Sequence, residues 1–142
     1  MIFSLVIPCY NEEEVLPLIL KRLNTLSSDW TSRDDFTEIE FVLVDDGSQD
    51  RTYDLLTETS KEDKRVKVVR FSRNFGHQAA LLAGYDFAQV DVIVYLDADL
   101  QDPPELIGSI LDKINEGYDV VYAACKSRGI DSLFKRKTAD IF

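Results

Sequence analysis

The chain has 142 residues, 45% of them apolar and 30% charged, an ordinary globular balance that suits one domain with a real core. A net charge of −10 and a pI near 4.5 exclude general nucleic-acid binding, which needs a basic face. No apolar run reaches the roughly 18 residues needed to cross a bilayer.

Strand-like and helix-like runs alternate along the chain. IFSLVI (2–7) predicts a strand, closed by Pro8. A helix is expected from about Pro17, with Ile19, Leu20, Leu23 and Leu26 on one stripe; proline fits a first turn. Residues 27–38 are polar and predict a surface loop. IEFVLV (39–44) predicts a second strand, and Asp50 an N-cap for a helix to about Ser60. VKVVRF (66–71) predicts a third strand, and the Ala- and Leu-rich run 76–89 a buried helix. VDVIVYL (90–96) predicts a fourth strand. Pro103 and Pro104 then open a helix whose Leu106, Ile107, Ile110, Leu111 and Ile114 share a face and which ends at Gly117. YDVVYAA (118–124) predicts a fifth strand.

Charge is unevenly spread. In residues 124–142 five basic side chains against Asp131 and Asp140 leave +3, so the first 123 residues carry −13. Cys9 and Cys125 stand far apart, in no metal spacing, and read as reduced thiols. Met1 leads into a strand without a basic start, so no signal peptide is expected. These features predict a soluble, intracellular-type piece.

Near-continuous apolar strands alternating with helices predict an α/β fold: a three-layer sandwich with a mainly parallel sheet covered by helices on both faces. Ligands of such sheets bind beyond the carboxyl ends of the strands. The joints there are PCYNEEE (8–14), DDGSQD (45–50), SRNFGHQ (72–78) and DADLQD (97–102). All four are polar and are expected on one rim, so the functional site is expected there.

Asp97-Ala98-Asp99 puts two carboxylates on one side of an extended segment. Hard cations such as Mg²⁺ or Mn²⁺ take such oxygens together with substrate phosphates, and Gln101 offers another oxygen. Asp102 stands where it could cap the following helix. Asp45 or Asp46 could accept hydrogen bonds from a base or ribose, or could form only an acidic turn around Gly47. Pro8, Cys9, Tyr10, Asn11 and Glu12 could wall a nucleotide base, or form only a polar helix entry. Arg73 could meet a phosphate. His77, the only histidine, reads as structural, because a helix N-terminus disfavours its protonation. There is no Gly-rich Walker loop, no GxGxxG and no Ser-His-Asp pattern.

Taken in order, VIPCYNEEE, DDGSQDRT, SRNFGHQAALLAGYDFA and LDADLQDPPE resemble the family 2 glycosyltransferases of GT-A fold. More narrowly, they are similar to the polyprenyl-phosphate sugar transferases, the dolichol-phosphate mannose synthases and bactoprenol glucosyltransferases. The resemblance implies an inverting transfer of sugar from a nucleotide-diphosphate sugar, of UDP-glucose or GDP-mannose type, to a polyprenyl phosphate. It gives Pro8, Tyr10, Asn11 and Glu12 to the donor nucleotide, Asp45 or Asp46 to base and ribose, and Asp97, Asp99 and Gln101 to Mg²⁺ or Mn²⁺ and the diphosphate. Arg128, with Lys135 and Arg136, falls where the family sets basic residues against phosphates.

It also implies that 1–123 form the nucleotide-sugar-binding part, truncated at its C-terminal side. Residues 124–142 would then be a basic tail leading to an absent acceptor and membrane part. The full-length protein is accordingly expected at the cytoplasmic face of a membrane. Self-association into a homo-oligomer is compatible with this reading. Transfer to a hydroxyl acceptor, a non-catalytic nucleotide-binding module and a receiver-like phosphate-accepting domain are the alternatives.

Overall fold

The structure, a computed structural model, describes residues 1–33 and 35–124. Four strands form one parallel sheet in the order β3-β2-β1-β4: β1 is Ile2–Cys9, β2 Glu38–Asp45, β3 Val66–Arg70 and β4 Val92–Tyr95. The helices are α1 (Leu16–Thr31), α2 (Thr52–Glu62), α3 (His77–Phe87) and α4 (Leu106–Asn115). The α/β, mainly parallel architecture is the one the alternating pattern predicts.

Strand alternation explains the layers, because successive side chains point to opposite faces. Phe3, Leu5, Ile7 and Cys9 of β1 join Phe41 and Leu43 of β2 in the larger core, closed by Leu16, Ile19 and Leu23 of α1, Leu56 of α2, and Ile107 and Leu111 of α4. The intervening Val6, Val42 and Val44 meet Ala80 and Leu81 of α3 on the other face. A Cβ on Gly84 would sit 2.3 Å from Val6 Cγ1. The missing side chain is therefore what lets α3 lie close on the sheet.

Three expectations need correction. Residues 27–31 are not loop: α1 runs on to Thr31, and Trp30 and Phe36 are buried. Ser27 and Trp30 continue the buried stripe of Leu16, Ile19 and Leu23, and polar neighbours hide that spacing from a composition reading. Phe3 packs edge-on against both Trp30 and Phe36, at 6.4 and 5.5 Å between ring centroids. Helix α3 is not buried all round: Leu82, Tyr85 and Phe87 are exposed and only Ala80, Leu81 and Gly84 are covered. Residues 118–124 form no strand among the described residues, and Val120 and Tyr122 are 79% and 75% exposed. They line, with β4 and α4, a cavity of about 750 Å³ instead of pairing with β4, so their apolar side chains have no facing sheet to cover.

No helix among the described residues is long and apolar enough to cross a membrane. Arg128, Lys135, Arg136 and Cys125, and the tail from 125 to 142, lie outside the described residues.

Candidate active site at the carboxyl rim of the sheet

The strand ends are brought level by register. Cys9 of β1 pairs with Asp45 of β2, and Asp45 with Arg70 of β3; Leu96, just after β4, donates its N–H to Val6 O. All four predicted joints therefore emerge on one rim. They enclose a cavity of about 300 Å³ lined by Pro8, Cys9, Tyr10, Glu12, Asp46, Asn74, Gly76, His77, Asp97, Ala98 and Asp99. Every joint contributes to it.

The first two joints are stitched together reciprocally. Asn11 N–H donates to Ser48 Oγ (3.0 Å), and Gln49 N–H donates to Asn11 Oδ1 (2.9 Å). Glu12 N–H donates to Thr52 Oγ1 (2.9 Å), and Glu13 N–H to Asp50 Oδ2 (3.3 Å). Asp50 Oδ1 also accepts from Thr52 N–H (2.9 Å). The expected capping carboxylate thus serves the start of α2, from one residue earlier than Arg51, where the helix cap falls. These bonds hold Asn11 at a φ of +50°, a left-handed conformation that asparagine tolerates better than most residues. Asn11 itself is not on the cavity lining; it fixes the loop that places Tyr10 and Glu12.

Strand parity separates Asp45 from Asp46. Asp45 follows Phe41 and Leu43 on the larger-core face and is fully buried. Its Oδ1 accepts from Ser48 N–H (3.3 Å), its Oδ2 lies 3.8 Å from Arg70 Nε, and Oδ2 has no hydrogen-bond partner. The Arg70 guanidinium stacks on Tyr53, 3.9 Å from the ring centre. Asp46 turns toward the α3 layer and accepts from Phe75 N–H (2.8 Å) and Gly76 N–H (3.2 Å). It clamps the third joint and sets the start of α3. Gly47, with φ +70°, lies against the same joint: a Cβ there would be 2.2 Å from the Arg73 carbonyl carbon.

In the fourth joint, Asp97 is half-buried and Asp99 exposed. The two line one cavity, but not by the expected extended alternation: Ala98 and Asp99 lie in a turn, and Leu100 has φ +61°. Asp99 Oδ1 accepts from Gln101 N–H (3.0 Å), while Gln101 is exposed and off the cavity lining. Asp102 does not cap α4. A turn from Pro103 and Pro104 precedes the helix, with Leu106 N–H on Pro103 O (3.1 Å), and Asp102 lines the larger cavity instead. Arg73 stacks over Phe75 at 4.7 Å and is not on the lining.

The profile of one family, described as glycosyl transferase family 2, matches residues 4–141. The chain belongs to glycosyl transferase family 2. It is 48% identical over 140 residues to an uncharacterized glycosyltransferase, YkcC, of Bacillus subtilis, covering 99% of this chain and 42% of that protein. It is 44% identical over 138 residues to an undecaprenyl-phosphate 4-deoxy-4-formamido-L-arabinose transferase of Pectobacterium atrosepticum, covering 94% and 39%. The chain thus spans about two fifths of the length of these curated relatives. A crystal structure of TarS from S. aureus superimposes with a TM-score of 0.63 at 24% identity over 89% of this chain and 40% of that one, and shares the GT-A fold.

In this family member the cavity is negatively loaded. Burial, followed by Asp99, Asp50 and Asp97, raises the Glu12 carboxyl above its usual range. Among the described residues no Lys or Arg lines the cavity, and no three His, Cys, Asp or Glu side chains converge closely enough to hold a metal by themselves. The donor set is hard oxygen, short of a complete cage, and in want of positive charge. Those properties fit a divalent cation whose remaining positions come from phosphate oxygens.

One lining residue escaped the sequence reading. His77 is the first residue of α3, and its Nε2 lies 3.2 Å from the Tyr95 hydroxyl and 3.6 Å from Asp97 Oδ1. The available signal was its position: the only histidine of the chain stands in a polar joint of the functional rim, directly after a glycine. Burial and then Asp97 push the Tyr95 phenol far above its usual range, so the hydroxyl keeps its proton.

Proposed function

We propose that this chain is the donor-nucleotide part of an inverting glycosyltransferase that moves a sugar from a nucleotide-diphosphate sugar to a polyprenyl phosphate. The observation that carries the reading is the convergence of four strand-end loops on one cavity whose carboxylates have no Lys or Arg beside them on the lining among the described residues. Family membership supports sugar transfer, and the Pectobacterium relative, named for undecaprenyl phosphate, supports the acceptor class.

Each residue has a task in this reading. Pro8, Tyr10 and Glu12 wall the nucleotide, with Asn11 holding their loop. Asp45 or Asp46 is the acidic contact for base or ribose: Asp45 has an orphaned buried oxygen beside Arg70 but lies off the cavity lining, whereas Asp46 lines the cavity and orders the loop that closes the third side. Asp97 and Asp99 hold Mg²⁺ or Mn²⁺, with Gln101 contributing through its bond to Asp99 rather than through the cavity wall. The bound ion supplies positive charge to the diphosphate as the nucleotide leaves. A phosphate monoester acceptor is already largely ionised at neutral pH, so the chain's carboxylates need not act as a strong base. Arg128, Lys135 and Arg136 are the candidates for bringing the two anions together, at the cytoplasmic face of a membrane.

The reading is tested by calorimetry of UDP and GDP with and without Mn²⁺, followed by product analysis with undecaprenyl phosphate and the matching nucleotide sugars. Asp97→Asn and Asp99→Asn are each expected to lower the Mn²⁺-dependent affinity at least about tenfold, the scale for losing a charged ligand oxygen. Unaltered affinity in both would remove the metal assignment, and transfer to a sugar hydroxyl alone would overturn the acceptor.

A further inference from the structure

His77 and Tyr95 meet in a way that the nucleotide-binding reading does not use. Asp46 takes the N–H groups of Phe75 and Gly76, and Gly76 adopts φ +102°. The following residue, His77, is thereby delivered at the first position of α3 toward the end of β4. There its imidazole stands edge-on to the Tyr95 ring, 6.0 Å between centroids. Its Nε2 reaches the Tyr95 oxygen at 3.2 Å and Asp97 Oδ1 at 3.6 Å. Tyr95 and Asp97 are two residues apart on the chain running out of β4. A carboxylate is free to rotate about its last bond, since that torsion has only a shallow preference. The Asp97 carboxylate is thus approached from one side by the imidazole and the phenol.

We propose that His77 and Tyr95 are positioning residues that fix the orientation of the Asp97 carboxylate toward a cation-bound diphosphate. Both act through Asp97 rather than as ligands of the cation. The imidazole and phenol restrict the Asp97 carboxylate from one side, so that it is presented to the cation without a search among orientations. The chain of placement runs from the second joint through Asp46, the third through His77, and the fourth through Asp97. Binding at one loop therefore depends on order in the other two. Residues that orient a metal-binding group typically change metal affinity about 10- to 100-fold when removed.

The inference rests on the cation reading above, and one experiment separates their failures. Tyr95→Phe keeps the ring and removes only the hydroxyl; His77→Ala removes the imidazole from a side chain that is 49% exposed, and His77→Gln restores a polar group. Binding of UDP and of GDP is measured by calorimetry with and without Mn²⁺, and Mn²⁺ immobilisation by paramagnetic resonance, alongside the melting temperature. The expected result is a loss of about tenfold in the Mn²⁺-dependent part of the affinity in Tyr95→Phe and His77→Ala, with partial recovery in His77→Gln. Metal-free affinity and melting temperature should stay near the parent values, and the double variant should be no worse than the weaker single one. If Asp97→Asn abolishes the Mn²⁺ effect while Tyr95→Phe and His77→Ala retain it, the positioning role is wrong and the cation reading stands. If the parent protein shows no Mn²⁺ dependence, or Asp97→Asn keeps it in full, both are overturned. Equal losses with and without Mn²⁺ would mark the two residues as merely structural and also overturn the inference.

Discussion

Gly47 shows how little room the rim has at the level of one residue. Its φ of +70° and a Cβ position 2.2 Å from backbone carbon mean that even alanine must displace the loop at Arg73. Gly47→Ala should cost more than about 2 kcal/mol, from left-handed strain and collision together, and urea unfolding will show it. Glu12 makes a different prediction. Its carboxyl is raised in the folded chain, by burial and then by Asp99, Asp50 and Asp97. Protonation is thus favoured in the folded state, so the Glu12 charge opposes folding at neutral pH, and that opposition fades as pH falls through the raised carboxyl range. Glu12→Gln, free of metal, should melt higher than the parent at neutral pH, with the gain shrinking in acid. A gain that is constant with pH would show that the charge is not the cause.

Among the elements, α1 is where the sequence was least transparent. The strands were legible because runs such as IFSLVI and EFVLV are apolar on both faces, as a covered parallel sheet requires. The last turn of α1 was not. Ser27, Ser28 and Asp29 surround Trp30, and only its spacing from Leu23 and Ser27 shows that it completes the buried stripe. Trp30→Ala should lower stability by about 3–5 kcal/mol, measured by denaturant titration. Phe3 and Phe36 would lose their shared edge contacts. The site was legible at the level of the rim, since all four polar joints do converge. Roles within it were not, because they depend on tertiary placement. Asp45 and Asp46 are adjacent letters with opposite directions, and His77 reaches Tyr95 and Asp97 only because Gly76 and Asp46 aim it across to β4.

At the scale of the whole molecule, β1 and β2 are paired on both sides, while β3 and β4 each have a partner on one side only among the described residues. The missing fifth strand belongs here. YDVVYAA has the composition of a strand, yet composition cannot supply a neighbour, and β4 offers Ile93 and Tyr95 as a partly exposed margin. Amide exchange should follow this order, slowest for β1 and β2 and distinctly faster for β4; uniform protection across the sheet would contradict it.

Leu100 combines two opposing demands. Its backbone takes φ +61°, costing about 1–2 kcal/mol for a residue of its kind, while its side chain packs against the larger core. The bend that carries Asp97 and Asp99 is therefore pinned like a tent peg driven at an angle. Moderate warming should pull that peg before the canvas tears: under the proposed function, nucleotide grip would vanish at temperatures where circular dichroism still reports an intact sheet.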